Sequence, residues 1–397
     1  MNLPVTHPDA SAAFEFRAAT RLVVGAGSIA RLGQLAREFG ATRVLVASDQ
    51  GVIRAGHTAA GLAALASCGI ATTVFDEFGE NPTTAQVEAG TAVAREFHPD
   101  LIVGLGGGSS MDCAKGINFL VSCGGRMHDY HGRGKATGPL LPSIAVPTTA
   151  GTGSETQSFA LITDAATGVK MACGDPRAAF RVAILDVHLT LTQPARVAAL
   201  TGIDAVSHAL ESHVSRAATP ASRIFSREAW RLLAHNLPSV FADGGDVAAR
   251  EAVQLGAAWA GLAIENAMLG AAHALANPLT AAHAVVHGQA VGLMLPHVVR
   301  FNAAACADRY AELAADLDSS ILDGSIAAAG VPPAECIADW VTGLVTQAGL
   351  ATSLSGLRIE RPDIAILANA AAAQWTGGFN PRPVGVDELT RLYEAAR

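Results

Sequence analysis

The sequence predicts an α/β half built on a parallel sheet over residues 1–190, followed by an all-α half over residues 191–397. Three observations carry this. Short Val- and Ile-rich runs alternate with Ala-rich segments of helical spacing through the first half. Many of those runs end in Gly, Asp or Pro, as strands entering turns do. Beyond LTLTQPARVAALTG at 189–202 the strand pattern almost vanishes. Strand–helix alternation argues for a parallel sheet covered by helices.

In chain order the expected strands are RLVVG (21–25), RVLVAS (43–48), TTVFDEF (72–78), LIVGLG (101–106), SIAVPT (143–148), FALIT (159–163) and RVAILD (181–186). IARLGQLAREFG (29–40) and TAQVEAGTAVAREF (84–97) read as covering helices. In the second half, 219–235, 247–276, 280–300 and 307–317 are long Ala/Leu-rich segments with the look of buried helices.

Composition narrows the partners. Half of the 397 residues are apolar and 16% are charged, enough to bury sizeable cores and too apolar for disorder. The net charge is −8 and no run of Lys or Arg is present, which disfavours nucleic acid and anionic membranes. The six cysteines form no C-x-x-C pair, as fits reduced thiols. MNLPVTHPDASAAFEF lacks the pattern of a secretion signal, and no apolar segment is long enough to span a bilayer. A cytoplasmic globular protein is the expectation.

Three polar segments follow strands. Gly25-Ala-Gly27-Ser-Ile-Ala30 is a G-x-G-x-x-A, with Asp49 at the end of the next strand. It reads either as a dinucleotide fingerprint or as a simple turn. Gly106, Gly107, Gly108 and Ser109 lead from a strand into a helix. Glycines let backbone approach a ligand closely, and N–H groups at a helix start suit a pyrophosphate. PTTAGTGSE at 147–155 brings hydroxyls and glycines to a strand's carboxyl end, either as part of a binding crevice or as a solvated loop capped by Ser154.

The second half carries a metal signal. In GIDAVSHALE at 202–211, Asp204 and His208 are four apart, one helical turn. HALANPLTAAHAVVH at 273–287 places His273, His283 and His287 among apolar residues. A buried imidazole needs a partner. One Asp with two or three His suits Fe(II), Zn(II) or a neighbouring metal, and the absence of thiolates disfavours a finger-type zinc site. Spacing alone favours His283 with His287, again four apart, and leaves open which of the three bind.

Together GGGSSMDCAK at 106–115, PTTAGTGSE, GIDAVSHALE and the segment from His273 through HGQAVGLMLPHVVRFN at 302 resemble the iron-containing (group III) alcohol dehydrogenase family, with weaker matches in ENPTT at 80–84 and TGGFNPRP at 376–383. The resemblance implies the dehydroquinate synthase-like fold of that family. It has a Rossmann-like dinucleotide-binding domain, a helical metal-binding domain and a cleft between them. It implies metal ligands Asp204, His208, His273 and His287, leaving out His283. It implies a cofactor site of Asp49, Asn81, Gly106, Gly107, Gly108, Ser109, Asp112, Thr148, Thr149, Thr152 and Lys170. The G-x-G at 25–27 then falls on a segment that is not the main phosphate loop.

One position departs from the family pattern. Many members carry H-x-x-x-H-P, with the second histidine near substrate; here that place is Asn277, before Pro278. Asn can hydrogen-bond a substrate oxygen but cannot relay a proton near neutral pH. The implied activity is NAD(P)-linked interconversion of a small alcohol and its aldehyde. Asp49 favours NAD, because its charge would repel a ribose 2′-phosphate. Rival readings are a metal-independent maleylacetate reductase-like enzyme and a dehydroquinate synthase-like lyase that uses NAD transiently. The family also implies a homodimer or larger homo-oligomer.

Overall fold

The computed structural model describes residues 13–317, 330–359 and 363–397. Most of the N-terminal segment read above for a secretion signal lies outside them. Each of the seven expected strands forms. They are β1 (Arg21–Val24), β2 (Arg43–Ala47), β3 (Ala71–Phe75), β4 (Leu101–Gly106), β6 (Ser143–Pro147), β7 (Phe159–Thr163) and β9 (Val182–Leu185). Two more are unexpected: β5 (Gly132–Arg133) has only two residues, and β8 (Lys170–Gly174), KMACG, has no β-branched residue to mark it as a strand. A six-stranded sheet runs β1-β9-β6-β4-β2-β3, with each pair of neighbours parallel. FALIT does not join it: β7 pairs antiparallel with β8 in a separate three-stranded sheet, β5-β8-β7.

Burial explains the order. All six residues of β4 are buried, as expected of a central parallel strand with helices on both faces. At the sheet edge, β1 keeps only Val23 buried. The covering helices of this half are α1 (Leu32–Glu38), α2 (Gln50–Arg54), α3 (His57–Ser67), α4 (Thr84–Phe97) and α5 (Gly108–Cys123). Helix α4 begins at a capping box written locally in the sequence: Gln86 N donates to Thr83 Oγ1 and Thr83 N donates to Gln86 Oε1.

The rest is helical: α6 (Ala195–Val214), α7 (Pro220–Ala242), α8 (Val247–Ala267), α9 (Ala271–His283), α10 (His287–Asn302), α11 (Ala307–Ala314), α12 (Pro333–Gln347), α13 (Asp363–Ala372) and α14 (Val386–Ala395). The expected helix over 247–276 is two helices, broken where Met268 takes a left-handed φ of 63°. The one expected over 280–300 is also divided, because α9 stops at Ala284 with φ 53°. No helix among the described residues is long and apolar enough to cross a membrane.

By contacts the chain forms two compact units that interleave in sequence. One holds Ala19–Ala205 and Leu232–Gly261; the other holds Val206–Arg231 and the described residues of 13–18 and 262–397. A single cut at 190 is therefore not the limit that contacts draw, since 232–261 packs with the sheet. There Thr156 Oγ1 donates to Ala258 O at 2.9 Å and Arg250 Nη1 to Thr190 O at 2.7 Å. In the other unit Trp230 is fully buried, edge-on to Trp340 and donating Nε1–H to Leu313 O at 2.9 Å.

Candidate functional site

The sheet topology locates a crevice. From β2 the chain moves outward to β3, then returns to the other side of β2 as β4. In open α/β sheets ligands bind at the carboxyl ends of strands flanking such a reversal. Asp49 follows β2 and Gly106–Gly108 close β4. The end of β6 lies alongside, with Gly106 in register with Pro147 and Thr148 N donating to Gly106 O at 2.9 Å.

This loop needs its glycines. Gly106 has φ +150°, and a Cβ there would lie 2.2 Å from Ser110 Oγ. A Cβ on Gly108 would lie 2.8 Å from Thr152 Cγ2, and one on Gly107 3.3 Å from Thr149 Cγ2. Gly107 is the N-cap of α5 and no side chain caps that helix. The Thr149 hydroxyl is buried and has no hydrogen-bond partner among the described residues. A bare helix start beside an unsatisfied hydroxyl is the chemistry a phosphate ligand completes.

The surrounding side chains hold that loop in place. Asp49 Oδ1 accepts from Gly51 N at 2.8 Å and Val52 N at 3.2 Å, and Oδ2 accepts from Ser110 Oγ at 3.1 Å. Asp49 thus caps α2 and ties it to the loop. Asn81 N donates to Ser109 Oγ at 3.2 Å, and Lys170 Nζ to Asn81 Oδ1 at 2.9 Å. Asp112 is buried and accepts from Ser154 Oγ at 3.2 Å; burial pushes its carboxyl above the usual range. Behind it, Lys115 Nζ donates to the carbonyls of Ser154 and Phe159, each at 2.8 Å. Glu155 is buried too, and its carboxyl is pushed up to about 7. At the first G-x-G, by contrast, Asp186 accepts from Gly27 N at 2.9 Å and Ile29 N at 3.1 Å. Those donors already serve a carboxylate of the chain itself.

The residues of the metal signal lie on α6, α9 and α10. Helix α6 runs unbroken through 204–211, so Asp204, His208 and Glu211 share one face at intervals of four and three. Asp204, His208 and His273 each offer a ligand atom, and these atoms lie within 4.8 Å of one another. All three residues are buried. The His208 and His273 rings are 5.0 Å apart and nearly parallel; the His287 ring lies 5.3 Å from that of His273, tilted by 54°. His287, the first residue of α10, stands outside the 4.8 Å group. A buried carboxylate gathered with imidazoles is costly unless a positive charge compensates it, so the donor set fits a divalent cation of the borderline class.

The helix break after α9 separates the other histidine. His283 ends α9 and His287 begins α10, so their spacing of four is not one helical turn. Asn277 lies one turn after His273 on α9, and its Nδ2 donates to Gln374 Oε1 at 3.0 Å. Sequence reasoning missed two residues here. Glu211, whose Oε2 lies 2.6 Å from His273 Nδ1, could have been found from its place two turns after Asp204. Gln374 has no local signal at all.

Comparison with known proteins agrees with this architecture. Residues 19–187 match the model described as iron-containing alcohol dehydrogenase, and 198–397 match the C-terminal model of the Fe-containing alcohol dehydrogenase family. The NAD-dependent methanol dehydrogenase of Bacillus methanolicus is 32% identical over 94% of this chain and 97% of its own length. The crystal structure of a 1,3-propanediol oxidoreductase superposes with a TM-score of 0.92 at 31% identity, covering 97% of this chain and all of the other. That of sulfoacetaldehyde reductase from Bifidobacterium kashiwanohense, in complex with NAD+, gives 0.87 at 28% identity, over 97% and 99% of the two chains.

Proposed function

The chain belongs to the iron-containing alcohol dehydrogenase family, and from that premise we propose that it interconverts a small alcohol and its aldehyde with NAD, using Fe(II) or Zn(II) held by Asp204, His208, His273 and His287. Its relatives include an NAD-dependent methanol dehydrogenase, a 1,3-propanediol dehydrogenase and a lactaldehyde reductase, so it is an oxidoreductase of CH–OH groups. The observation that best supports the metal is the buried group of Asp204, His208 and His273 within 4.8 Å. When bound, the cation supplies Lewis-acid polarisation of the substrate oxygen and the nicotinamide supplies the hydride chemistry.

The chain's own residues bind and orient. Gly106–Gly108 and the uncapped start of α5 receive the pyrophosphate, with the Thr149 hydroxyl as a further donor. Asp49, kept in place by its bonds to Gly51, Val52 and Ser110, accepts from the adenosine ribose and excludes a 2′-phosphate. Asn277, steered by Gln374, offers a substrate oxygen a hydrogen bond without a titrating proton, so proton exchange passes to water. The relatives act on methanol, 1,3-propanediol and sulfoacetaldehyde, which leaves chain length and a second polar group as the variables of substrate choice. A cytoplasmic homodimer or larger homo-oligomer completes the reading.

The test combines metal analysis of the purified protein with absorbance at 340 nm across short alcohols, diols and acid-bearing aldehydes. Net NADH formation that D204A and H208A abolish, together with their metal, supports the proposal. Activity that survives chelators points to the maleylacetate reductase-like alternative. Turnover without net change at 340 nm points to the lyase.

A further inference from the structure

We propose that Glu211 is a positioning residue that sets the tautomer and ring orientation of His273 and anchors the start of α9 with the same carboxylate; the inference rests on the metal reading above. Glu211 is buried. Its Oε2 lies 2.6 Å from His273 Nδ1, and its Oε1 accepts from Ala272 N at 2.7 Å. The N-cap of α9 is Gly270, which brings no capping side chain, so carboxylate and amide groups from elsewhere do that work. Besides Glu211 on Ala272, Asn380 Oδ1 accepts from Ala271 N at 3.3 Å. A Cβ on Gly270 would lie 2.9 Å from Glu211 Oε1, so glycine is what admits the carboxylate to the helix end.

The chemistry follows from donor counting. An ionised carboxylate only accepts hydrogen bonds. His273 Nδ1 must then carry the proton, and the lone pair falls on Nε2, the nitrogen able to bind a cation. The same bond fixes the plane of the ring, as carboxylate partners of metal-binding histidines do. The negative charge also sits at the positive end of α9. Both contacts, to Nδ1–H and to Ala272 N–H, demand an acceptor. A carboxylate supplies two. The isosteric amide of E211Q supplies one acceptor and one donor, so it must either turn its NH2 against Ala272 N–H or donate to Nδ1 and drive the imidazole proton onto Nε2.

The experiment uses the full chain stripped of metal. Zinc is titrated in competition with a chromophoric chelator against wild type, E211Q and H208A, and 15N ring shifts of His273 are read in the zinc-free wild type and E211Q. The expected result is a zinc Kd raised about 10–100-fold in E211Q, with the Nδ1–H form in wild type and a mixed or inverted tautomer in the variant. Zinc affinity in E211Q within about threefold of wild type overturns the inference. So does a lowered urea midpoint at unchanged affinity, the signature of a role confined to capping α9. If H208A also keeps wild-type affinity, the metal reading is what fails, and the wild-type tautomer alone decides for or against Glu211. The wild-type ring shifts serve equally should E211Q not fold; a proton on Nε2 there refutes the proposal.

Discussion

Gly106→Ala places a methyl group at the tightest point of the loop proposed to hold the nucleotide. Two costs arise independently. At φ +150° a residue with a side chain is strained, by about 1–3 kcal/mol. The new Cβ also falls 2.2 Å from Ser110 Oγ and 2.8 Å from Ser110 Cβ, an overpacking that costs about 1–3 kcal/mol. Ser110 is fully buried, and its hydroxyl donates to Asp49 Oδ2 at 3.1 Å. Moving it breaks a bond to a carboxylate, worth about 1.5–3 kcal/mol. Together these costs come to about 3.5–9 kcal/mol, a large share of the 5–15 kcal/mol that holds a typical fold. Urea unfolding followed by tryptophan fluorescence measures it, and calorimetry with NAD should show at least about a tenfold weaker Kd because Asp49 loses its tether. The variant G106A/S110A removes the hydroxyl that the methyl meets and should recover about 1–2 kcal/mol as a coupling energy. A G106A protein within about 0.5 kcal/mol of wild type, or one with no coupling to S110A, would falsify the argument.

Three further outcomes are expected. D49N keeps an N-capping acceptor for Gly51 but removes the charge, so the ratio of kcat/KM with NADP to that with NAD should rise at least about tenfold; an unmoved ratio rules out Asp49 as the cofactor selector. Burial pushes Glu155 up to about 7 from an ordinary 4.5, so between those pH values the folded state holds a proton that the unfolded chain has lost, and stability falls as pH rises through the window. The stability gain of E155Q over wild type, read from urea midpoints, should therefore be near zero at the acid end and reach at most about 3 kcal/mol by about pH 8; a gain that shrinks with pH contradicts the sign. W230F removes the indole donor to the Leu313 carbonyl, which still accepts from Asp316 N at 3.2 Å, and leaves a cavity beside Trp340; the cost should be about 1–3 kcal/mol by urea or thermal unfolding, whereas a cost under about 0.5 kcal/mol shows the indole contacts to be dispensable.

Much of this protein is written locally. The strands are legible because a parallel sheet buried on both faces demands short, unbroken Val/Ile/Leu runs, as β4 shows. The start of α4 is legible because Thr83 and Gln86 cap it through neighbours three apart. Asp204 and His208 are legible because one helical turn is four residues, and Glu211 lies on the same face. Other features have no local record. The end of α9 is marked by an alanine in the left-handed region, where a glycine would have signalled it, so the spacing of His283 and His287 misleads. FALIT reads like any strand of the main sheet, and only its pairing with β8 assigns it to another. Two glycine loops look alike until Asp186, 159 residues from Gly27, is seen occupying the donors of the first.

By itself the sequence determined seven of the strands, their order and the residue types that chemistry requires, since each rests on interactions within a few residues along the chain. Only the tertiary structure decided which glycine loop has its amides taken by a carboxylate of the chain, which histidine rings stand together and that Glu211 reaches His273 across 62 positions. Those outcomes depend on packing between distant segments, and no periodicity of the chain encodes the distance between two helices.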